Sequence, residues 1–334
     1  MLTPAEGTAL YAELRAAVIA AGVLKRDYRY YAILIGGTAL GLAISLWYLI
    51  RLPASLPLVV WAVIFALVTV QVCGIIHDAG HRTVFRSTAL NDLLGGAFAG
   101  LLAMGYQSWR EQHNAHHAHT NVEGRDPDLD IPLHAFTLRQ FQRQGGLWRY
   151  ARRYQAAFFY PMRTLVVFSR RLAEIAHFRH ERFSLRLLVE IALWGAGLVL
   201  WFVVPFLVFP LGKALLLFAV VHPTMGFYLS NIFAPNHKGM PQIPDGTEVS
   251  FLEQQITTSR NITPSWFVDF IYVGLNYQIE HHLFPTCPRN KLKQITPYVL
   301  EICARTNLVY TQTGIVRSNQ IILGELNAVA RAGA

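Results

Sequence analysis

The sequence predicts an all-α membrane protein with four transmembrane helices, an additional interfacial or re-entrant helix, and a cytosolic helical cap that carries three histidine-rich motifs. The 334-residue chain is 53% hydrophobic and only 15% charged, whereas an ordinary soluble domain has about 25% charged residues. It contains four uncharged runs that are long enough to cross a bilayer, which takes about 20 helical residues. The histidines cluster beyond the ends of these runs.

Helical periodicity, uncharged runs and clusters of charge divide a single membrane-embedded domain (1–334) into five segments. In chain order these are a cytosolic N-terminal helix (1–29), a first transmembrane hairpin (30–76), the first two motifs with a basic cytosolic region (77–186), a second transmembrane hairpin (187–236) and a cytosolic region with the third motif (237–334).

The segment between the first two motifs decides the predicted topology. Residues 93–109 are apolar and rich in glycine, but short for a span. A full crossing would leave these motifs on opposite faces, so we predict a re-entrant or interfacial path. About half of all Lys and Arg lie between the first motif and the third predicted span, 191–212. The positive-inside rule then predicts that both termini and every motif are cytosolic, and we expect a bacterial inner membrane.

The three histidine motifs are HDAGH at 77–81, HNAHH at 113–117 and QIEHH at 278–282. Residues three and four apart share one face of a helix, so His81 should point the same way as His77, and His116 and His117 the same way as His113. Imidazole suits iron, copper, nickel or zinc. A zinc site needs only about three or four protein ligands, so seven motif histidines predict two ions that share the set.

In number, order and spacing these motifs resemble the histidine boxes of the integral-membrane fatty acid desaturase and hydroxylase superfamily. The stretches DPDLDIP, NHKGMP, TTSRNI and NYQIEHHLFP are similar as well, and the resemblance covers about residues 70–295. The QxxHH form resembles the front-end group, which inserts a double bond between an existing one and the carboxyl end. Front-end enzymes often carry a fused cytochrome b5 domain with an HPGG motif. This sequence has no such motif, so we expect a separate electron donor.

The resemblance implies O2-dependent insertion of a cis double bond by a centre of two Fe ions. The implied ligands, which form the catalytic centre, are His77, His81, His113, His116, His117, His281 and His282, with His237 of NHKGMP as an additional ligand. Gln278 stands where a further histidine would complete the third box. It could bind weakly, bind through water, or orient a neighbour.

Residues behind the ligands are expected to orient them, because a ligating histidine usually donates its other ring N–H to an acceptor. The candidates are Asp78, Asp126, Asp128, Asp130, Gln278 and Glu280. The DPD sequence is equally typical of a turn.

The implied partners are an acyl-lipid or acyl-CoA substrate, the lipid bilayer, and a ferredoxin or a cytochrome b5 with its reductase. Nucleic acid is a poor partner, because the net charge of +9 does not come with a soluble basic domain. His222 lies inside the fourth predicted span (214–236), where a channel-lining or hydrogen-bonded role is expected.

Three other functions remain open at this point. A hydroxylase or ketolase with the same metal site would form an alcohol or ketone instead of an alkene. A zinc-dependent membrane hydrolase would need only about three histidines and a water. A transporter or metal carrier would place histidines along a pathway within the spans, whereas nearly all of them lie past the span ends here.

Overall fold

The computed structural model describes residues 2–129, 134–143, 145 and 150–333, so the candidate Asp130 lies outside the described residues. The described chain is mostly helical. The helices are α1 Pro4–Ala20, α2 Tyr28–Arg51, α3 Leu56–Gly80, α4 Thr88–Leu101, α5 Tyr106–Ala118, α6 Leu138–Gln142, α7 Gln155–Arg163, α8 Val166–His180, α9 Leu185–Phe202, α10 Val204–Val208, α11 Leu211–His237, α12 Phe251–Thr257, α13 Trp266–Ile271, α14 Gln278–Leu283, α15 Thr296–Thr306 and α16 Ile315–Gly333. A 3-10 helix covers Arg289–Gln294, and the strands β1 (Asn261–Ile262) and β2 (Gln312–Thr313) pair in parallel.

The chain forms two compact units. Unit 1 consists of Met1–Lys25, Gln112–Pro161 and Asn231–Ala334, and unit 2 consists of Arg26–Glu111 and Met162–Ser230.

Four of the described helices, α2, α3, α9 and α11, are long and apolar enough to cross a membrane. The prediction of an all-α integral membrane protein with four spanning helices is therefore confirmed. α4 and α5 meet at an angle of 111° across a short break, so they form either a broken span or a re-entrant segment, and the interfacial or re-entrant path between the first two motifs stays a prediction.

The third span differs from the predicted run, 191–212, at both ends. α9 begins at Leu185 because the Ser184 side chain accepts a hydrogen bond from the backbone N–H of Leu187. It ends at Phe202, and Pro205 then lies in the first turn of α10, where its missing N–H is tolerated.

Close packing inside unit 2 depends on glycine. A Cβ atom added to Gly197 of α9 would lie 2.1 Å from the carbonyl oxygen of Gly100 in α4. A side chain at this position would therefore push the two helices apart.

The core of unit 1 surrounds the short helix α14. Leu252 of α12, Ile279 of α14 and Val299 of α15 are fully buried in one cluster, which Val18 of α1 also joins. Thr3 and Glu6 form a capping box that fixes the start of α1. The third histidine motif is thus held inside a packed apolar core.

Candidate metal centre

α5 carries the second histidine motif and points its rings in two directions. His113 and His117 are four residues apart, and their Nε2 atoms lie 3.2 Å from each other. His116 points elsewhere: its ring centroid is 4.8 Å from that of His237 and 5.1 Å from that of His282. One helix therefore supplies imidazoles to two groups.

The third motif divides in the same way, because consecutive helical residues differ by about 100° in direction. On α14, the Nε2 atom of His281 is 3.2 Å from that of His117, whereas the ring of His282 is centred 4.7 Å from that of His237. In each of the resulting groups, the candidate ligand atoms lie within 4.8 Å of one another. These groups are the first trio, His113, His117 and His281, and the second trio, His116, His237 and His282.

Hydrogen bonds fix the tautomers in the second trio. The Nδ1 atom of His116 is 3.0 Å from both carboxylate oxygens of Asp126. The Nδ1 atom of His237 is 3.2 Å from the carbonyl oxygen of Thr258. Because both partners are acceptors, each Nδ1 carries the proton and each Nε2 keeps a lone pair.

His282 is fixed by an amide. Its Nδ1 atom lies 2.8 Å from Oε1 of Gln255, which also accepts a hydrogen bond from the Thr120 hydroxyl at 2.9 Å. The Gln255 amide nitrogen donates to the backbone carbonyl of His117 at 3.0 Å. These contacts identify Oε1 as the acceptor, so His282 also keeps its lone pair on Nε2.

The second trio fits a metal ion on the basis of these lone pairs. The Nε2 atom of His282 is buried and has no hydrogen-bond partner among the described residues. Lone pairs that converge in a buried space repel one another, and a bound cation converts that repulsion into attraction. A donor set made only of imidazole nitrogens suits iron, copper, nickel or zinc.

Gln278 points its side-chain amide N–H at the second trio. Its Nε2 atom is 2.8 Å from Nε2 of His237. Its Oε1 atom accepts a hydrogen bond from the Asn236 amide at 2.9 Å, and Asn236 also donates to the carbonyl of Leu275. The amide is therefore held in the orientation that points N–H, and not oxygen, at His237.

Asp126 dominates the electrostatics around His116. Burial alone would lower the pKa of His116, but the hydrogen bond and charge of Asp126 together raise it above its ordinary value. Burial alone would raise the pKa of Asp126, but the hydrogen bond and charge of His116 lower it. Asp126 also accepts backbone N–H bonds from Asn121 and Asp128, at 2.8 and 2.9 Å. The carboxylate is therefore charged and fixed in position.

Burial, followed by the neighbouring rings of His237 and His116, keeps the pKa of His282 well below its usual value. The ring is therefore neutral, as a metal ligand must be.

The other candidate acids lie further from the rings. Asp128 Oδ2 is 3.8 Å from Nδ1 of His116, and its Oδ1 accepts a hydrogen bond from Gln112 at 2.9 Å. Asp78 Oδ1 is 3.5 Å from Nδ1 of His77. Asp126 therefore makes a closer contact with His116 than Asp128 does.

Glu280 directly precedes the two trio histidines of the third motif in sequence, but the structure places its carboxylate against other groups. It accepts hydrogen bonds from Asn261, Thr296 and Tyr310 at 2.7, 2.8 and 2.8 Å. Burial raises the pKa of Glu280 above its ordinary value. These contacts tie α14 to β1 and α15, so Glu280 fixes the helix instead of an imidazole.

The first motif lies in unit 2. His77 is in the last turn of α3 and His81 follows as the residue that caps it, with their ring centroids 4.7 Å apart. A Cβ atom on Gly80 would lie 2.7 Å from the indole of Trp109, which explains the glycine of HDAGH. Burial, with the charge of Arg82, lowers the pKa of His81 to about 3, so the ring is neutral.

The sequence argument missed several residues that fix the ligands. Arg260 is fully buried, and it donates to the carbonyl oxygens of Pro235 and Lys238 at 2.7 and 2.9 Å. It thereby holds the end of α11, which carries His237. Arg260 lies in TTSRNI, a stretch that the resemblance had singled out, whereas Gln255 has no such signal.

Comparisons with known proteins agree on one family. A family model described as fatty acid desaturase matches residues 53–314. The Delta(5) fatty acid desaturase fat-4 of Caenorhabditis elegans is 30% identical over 75% of this chain and 58% of its own length. The Delta(6)-fatty-acid desaturase fat-3 of the same organism is 31% identical over 75% of this chain and 59% of its own length.

The acyl-lipid (9-3)-desaturase of Physcomitrium patens is 33% identical over 79% of this chain and 52% of its own length. The chain therefore spans between about half and three fifths of the length of these relatives.

Proposed function

The chain belongs to the fatty acid desaturase family, and on that premise we propose that it inserts a cis double bond into the acyl chain of a membrane lipid or of an acyl-CoA. One acyl chain, one O2, two electrons and two protons give one carbon–carbon double bond and two molecules of water. The observation that carries the proposal is the pair of histidine trios in unit 1.

Two iron ions are assigned to these histidines. Iron would activate O2, the oxidant, for the C–H cleavage that side chains cannot perform. The second trio would hold one ion. The first trio would hold the other, together with His77 and His81, which are assigned by the spacing of their motif alone. Six unit 1 imidazoles are more than the three that a zinc hydrolase requires, and this supports the desaturase assignment.

The residues around the second trio would keep its rings ready to bind. Asp126 holds the Nδ1 proton of His116, Gln255 accepts the corresponding proton of His282, and the Thr258 carbonyl accepts that of His237. Partners of this kind usually change metal affinity or activity by about 10- to 100-fold. Gln278 is assigned a different positioning role, because its N–H meets the Nε2 lone pair of His237 while no ion is bound there.

Burial of the histidines is the second way in which the protein would support the reaction. Every histidine of the two trios except His113 is buried. Exclusion of water from such a site strengthens the electrostatic interactions inside it and limits side reactions. The acyl chain would then react in a position that is closed to bulk water.

We propose a multi-pass topology with four crossings, in which both termini and the histidine motifs are cytosolic, in a bacterial inner membrane. The clustering of Arg and Lys between the first motif and the third span supports this orientation. The electron donor is proposed to be a separate ferredoxin, or a cytochrome b5 with its reductase.

Product analysis tests the proposal. The chain is expressed in a host with few unsaturated lipids, and mass spectrometry locates new double bonds in the lipids and acyl-CoAs. We expect a new alkene in cells with the wild-type chain and none with His282→Ala. Purified wild-type protein should contain iron. An alcohol product would identify a hydroxylase instead, and protein with one zinc and no iron would refute the assignment.

A further inference from the structure

Unit 1 exposes three aromatic side chains on one face of the short helix α13. Trp266 is 83% exposed, Phe267 52% and Phe270 56%. Residues three and four apart share a helix face, so Phe270 lies beside both of the others. The opposite face is buried, because Val268 packs with Ile262 of β1 in an apolar cluster. We call the three exposed rings the aromatic face.

The aromatic face is a contiguous apolar surface. The rings of Trp266 and Phe267 are in edge contact, with their centroids 5.9 Å apart. Apolar side chains that are exposed singly are normal on a protein surface, whereas a contiguous apolar patch marks a site of interaction with a protein or a membrane. Aromatic rings also carry more apolar area than other side chains, so leaving three of them in water would be unfavourable.

The chain around the aromatic face carries little charge. Residues 261–268 contain no charged side chain, and neither do residues 306–316, whose strand β2 pairs with β1. The acid of α13, Asp269, accepts a hydrogen bond from the side-chain amide of Asn276 at 2.7 Å. Transfer of an ionised group out of water is costly. The low charge of this surface therefore favours an apolar environment over an aqueous one.

Hydrogen bonds inside unit 1 tie α13 to the end of a membrane-spanning helix. The last turn of α11 holds Asn236, whose amide donates to the carbonyl of Leu275 at 3.0 Å. Leu275 follows Phe270 by five residues, and five residues of chain reach at most about 18 Å. The adjacent Asn276 is bound to Asp269 of α13. The aromatic face is therefore close to the end of a helix that crosses the bilayer.

We propose that the aromatic face inserts into the interfacial layer of the bilayer, on the side where α11 ends, and that lipid covers it. Tryptophan is enriched at this level of a membrane because its ring is apolar and its N–H is polar. The indole N–H of Trp266 would meet lipid carbonyl groups, and the two phenylalanine rings would meet the upper part of the acyl chains. Amphipathic helices at a membrane surface insert to a depth of about 5–10 Å, which three side chains can reach.

This contact would fix the distance between the third histidine motif and the lipid. β1 leads into α13, and its Asn261 side chain accepts a hydrogen bond from the backbone N–H of Ile279 in α14 at 2.9 Å. α14 carries His281 and His282. Insertion of the aromatic face would thus hold α14 at a constant depth relative to the headgroups. The proposal concerns membrane contact alone and does not depend on the proposed reaction.

Fluorine NMR of the tryptophans tests the proposal. Protein labelled with fluorotryptophan gives separate signals for its seven tryptophans, and the signal that is lost in Trp266→Phe belongs to that residue. Single chains in lipid nanodiscs are exposed to two paramagnetic agents that broaden nearby signals. One is a lipid with a nitroxide on the upper part of its acyl chain, and the other is a gadolinium chelate dissolved in the water.

We expect the nitroxide lipid to broaden the Trp266 signal as strongly as that of Trp47, an exposed residue of the spanning helix α2. The chelate should broaden the Trp266 signal much less than that of a matched reference, Leu300→Trp. Leu300 is also an exposed apolar residue of unit 1, but it lies on α15 beside the exposed acid Glu301. Its signal should respond to the chelate in the water.

A Trp266 signal that the chelate broadens as strongly as the Leu300→Trp signal would overturn the proposal, because the aromatic face would then lie in water. A signal that neither agent broadens would overturn it as well, since the face would then be covered by protein, such as a second copy of the chain. Both outcomes are observed on wild-type side chains at the aromatic face. Neither would affect the proposed desaturase activity, which is measured by its product.

Discussion

The spanning helix α2 of unit 2 and the interior of unit 1 place polar and apolar side chains in opposite ways. In unit 2, apolar side chains of the spanning helix α2 lie on the outside, and Ile33 and Leu40 are 65% and 61% exposed. In unit 1, strongly polar side chains lie inside, and Gln255, Arg260 and Glu280 have no exposed surface. The bilayer must cover the first surface, whereas hydrogen bonds must satisfy the second interior.

This difference shows where each unit obtains its specificity. A lipid-facing apolar surface tolerates many side chains, because lipid tails adapt to its shape. A buried polar interior tolerates few, because each donor needs its acceptor and an orphaned group costs about 1–3 kcal/mol. The catalytic precision of the protein should therefore reside in unit 1.

The largest effect is expected inside unit 1, at a trio histidine. His116→Ala removes one of three converging imidazoles and leaves Asp126 without its partner. We expect product formation to fall by at least about 1,000-fold, or about 4 kcal/mol, with membrane insertion intact. Product analysis and iron content per chain measure the effect. His180→Ala, at an exposed position on α8, is the control, and retained activity in His116→Ala would remove that residue from the ligand set.

A pair of identical substitutions compares the units directly. Leu252→Ala in unit 1 empties a fully buried position and should lower the free energy of unfolding by about 2–5 kcal/mol. Leu40→Ala in unit 2 changes a side chain that faces outward and should cost less than about 1 kcal/mol in a bilayer. Thermal unfolding in nanodiscs tests both, and equal losses would contradict the contrast between the units.

Asp126→Asn sharpens the comparison with a change of one atom. The amide keeps the shape of the side chain but removes the charge that holds the His116 proton. We expect iron affinity and product formation to fall by about 10- to 100-fold. Asp245→Asn, where the acid pairs with Arg125 on an exposed surface, should change neither measurement. An unaltered iron affinity in Asp126→Asn would show that the contact does not matter for binding.

The smallest expected effect is the pH dependence of stability in protein from which a chelator has removed the metal. The pKa of Asp126 is lowered from 3.8, so its contribution to stability is present above that value and is lost as the pH falls through the folded pKa. The pKa of His116 is raised from 6.5, so its contribution is present below 6.5 and is lost as the pH rises through the folded pKa.

The stability difference between wild-type protein and Asp126→Asn should therefore be largest between pH 3.8 and 6.5, and should shrink at higher pH. Thermal unfolding of the chelated proteins across this range measures it. A difference that is constant with pH would show that the two groups do not titrate as a coupled pair.

Uncharged runs in the sequence predicted most of the membrane-spanning helices. The first two spans were predicted within a few residues of α2 and α3, because Arg29 and Arg51 mark the ends of an uncharged run. The third span was misplaced because hydropathy alone cannot locate its end. Ser184 starts α9 by a side-chain hydrogen bond, and the chain breaks before Pro205.

The candidate site, too, was predicted from the sequence only in part. Spacing predicted that histidines within a motif share a face, and two ions for the set. Spacing did not predict that the His116 ring points toward His237 and His282 and away from His113 and His117. That direction depends on how distant helices pack. Contacts such as Gln255 with His282 are equally long-range, and a single sequence has no local pattern for them.

The division of neighbouring histidines between two groups has a consequence for assembly of the centre. α5 and α14 each contribute rigidly linked rings to both trios. An ion that entered one trio would fix the rotation of both helices and so would prepare the other trio before it was filled. Iron uptake by unit 1 should thus be cooperative, with the half-loaded protein scarce at every concentration of iron.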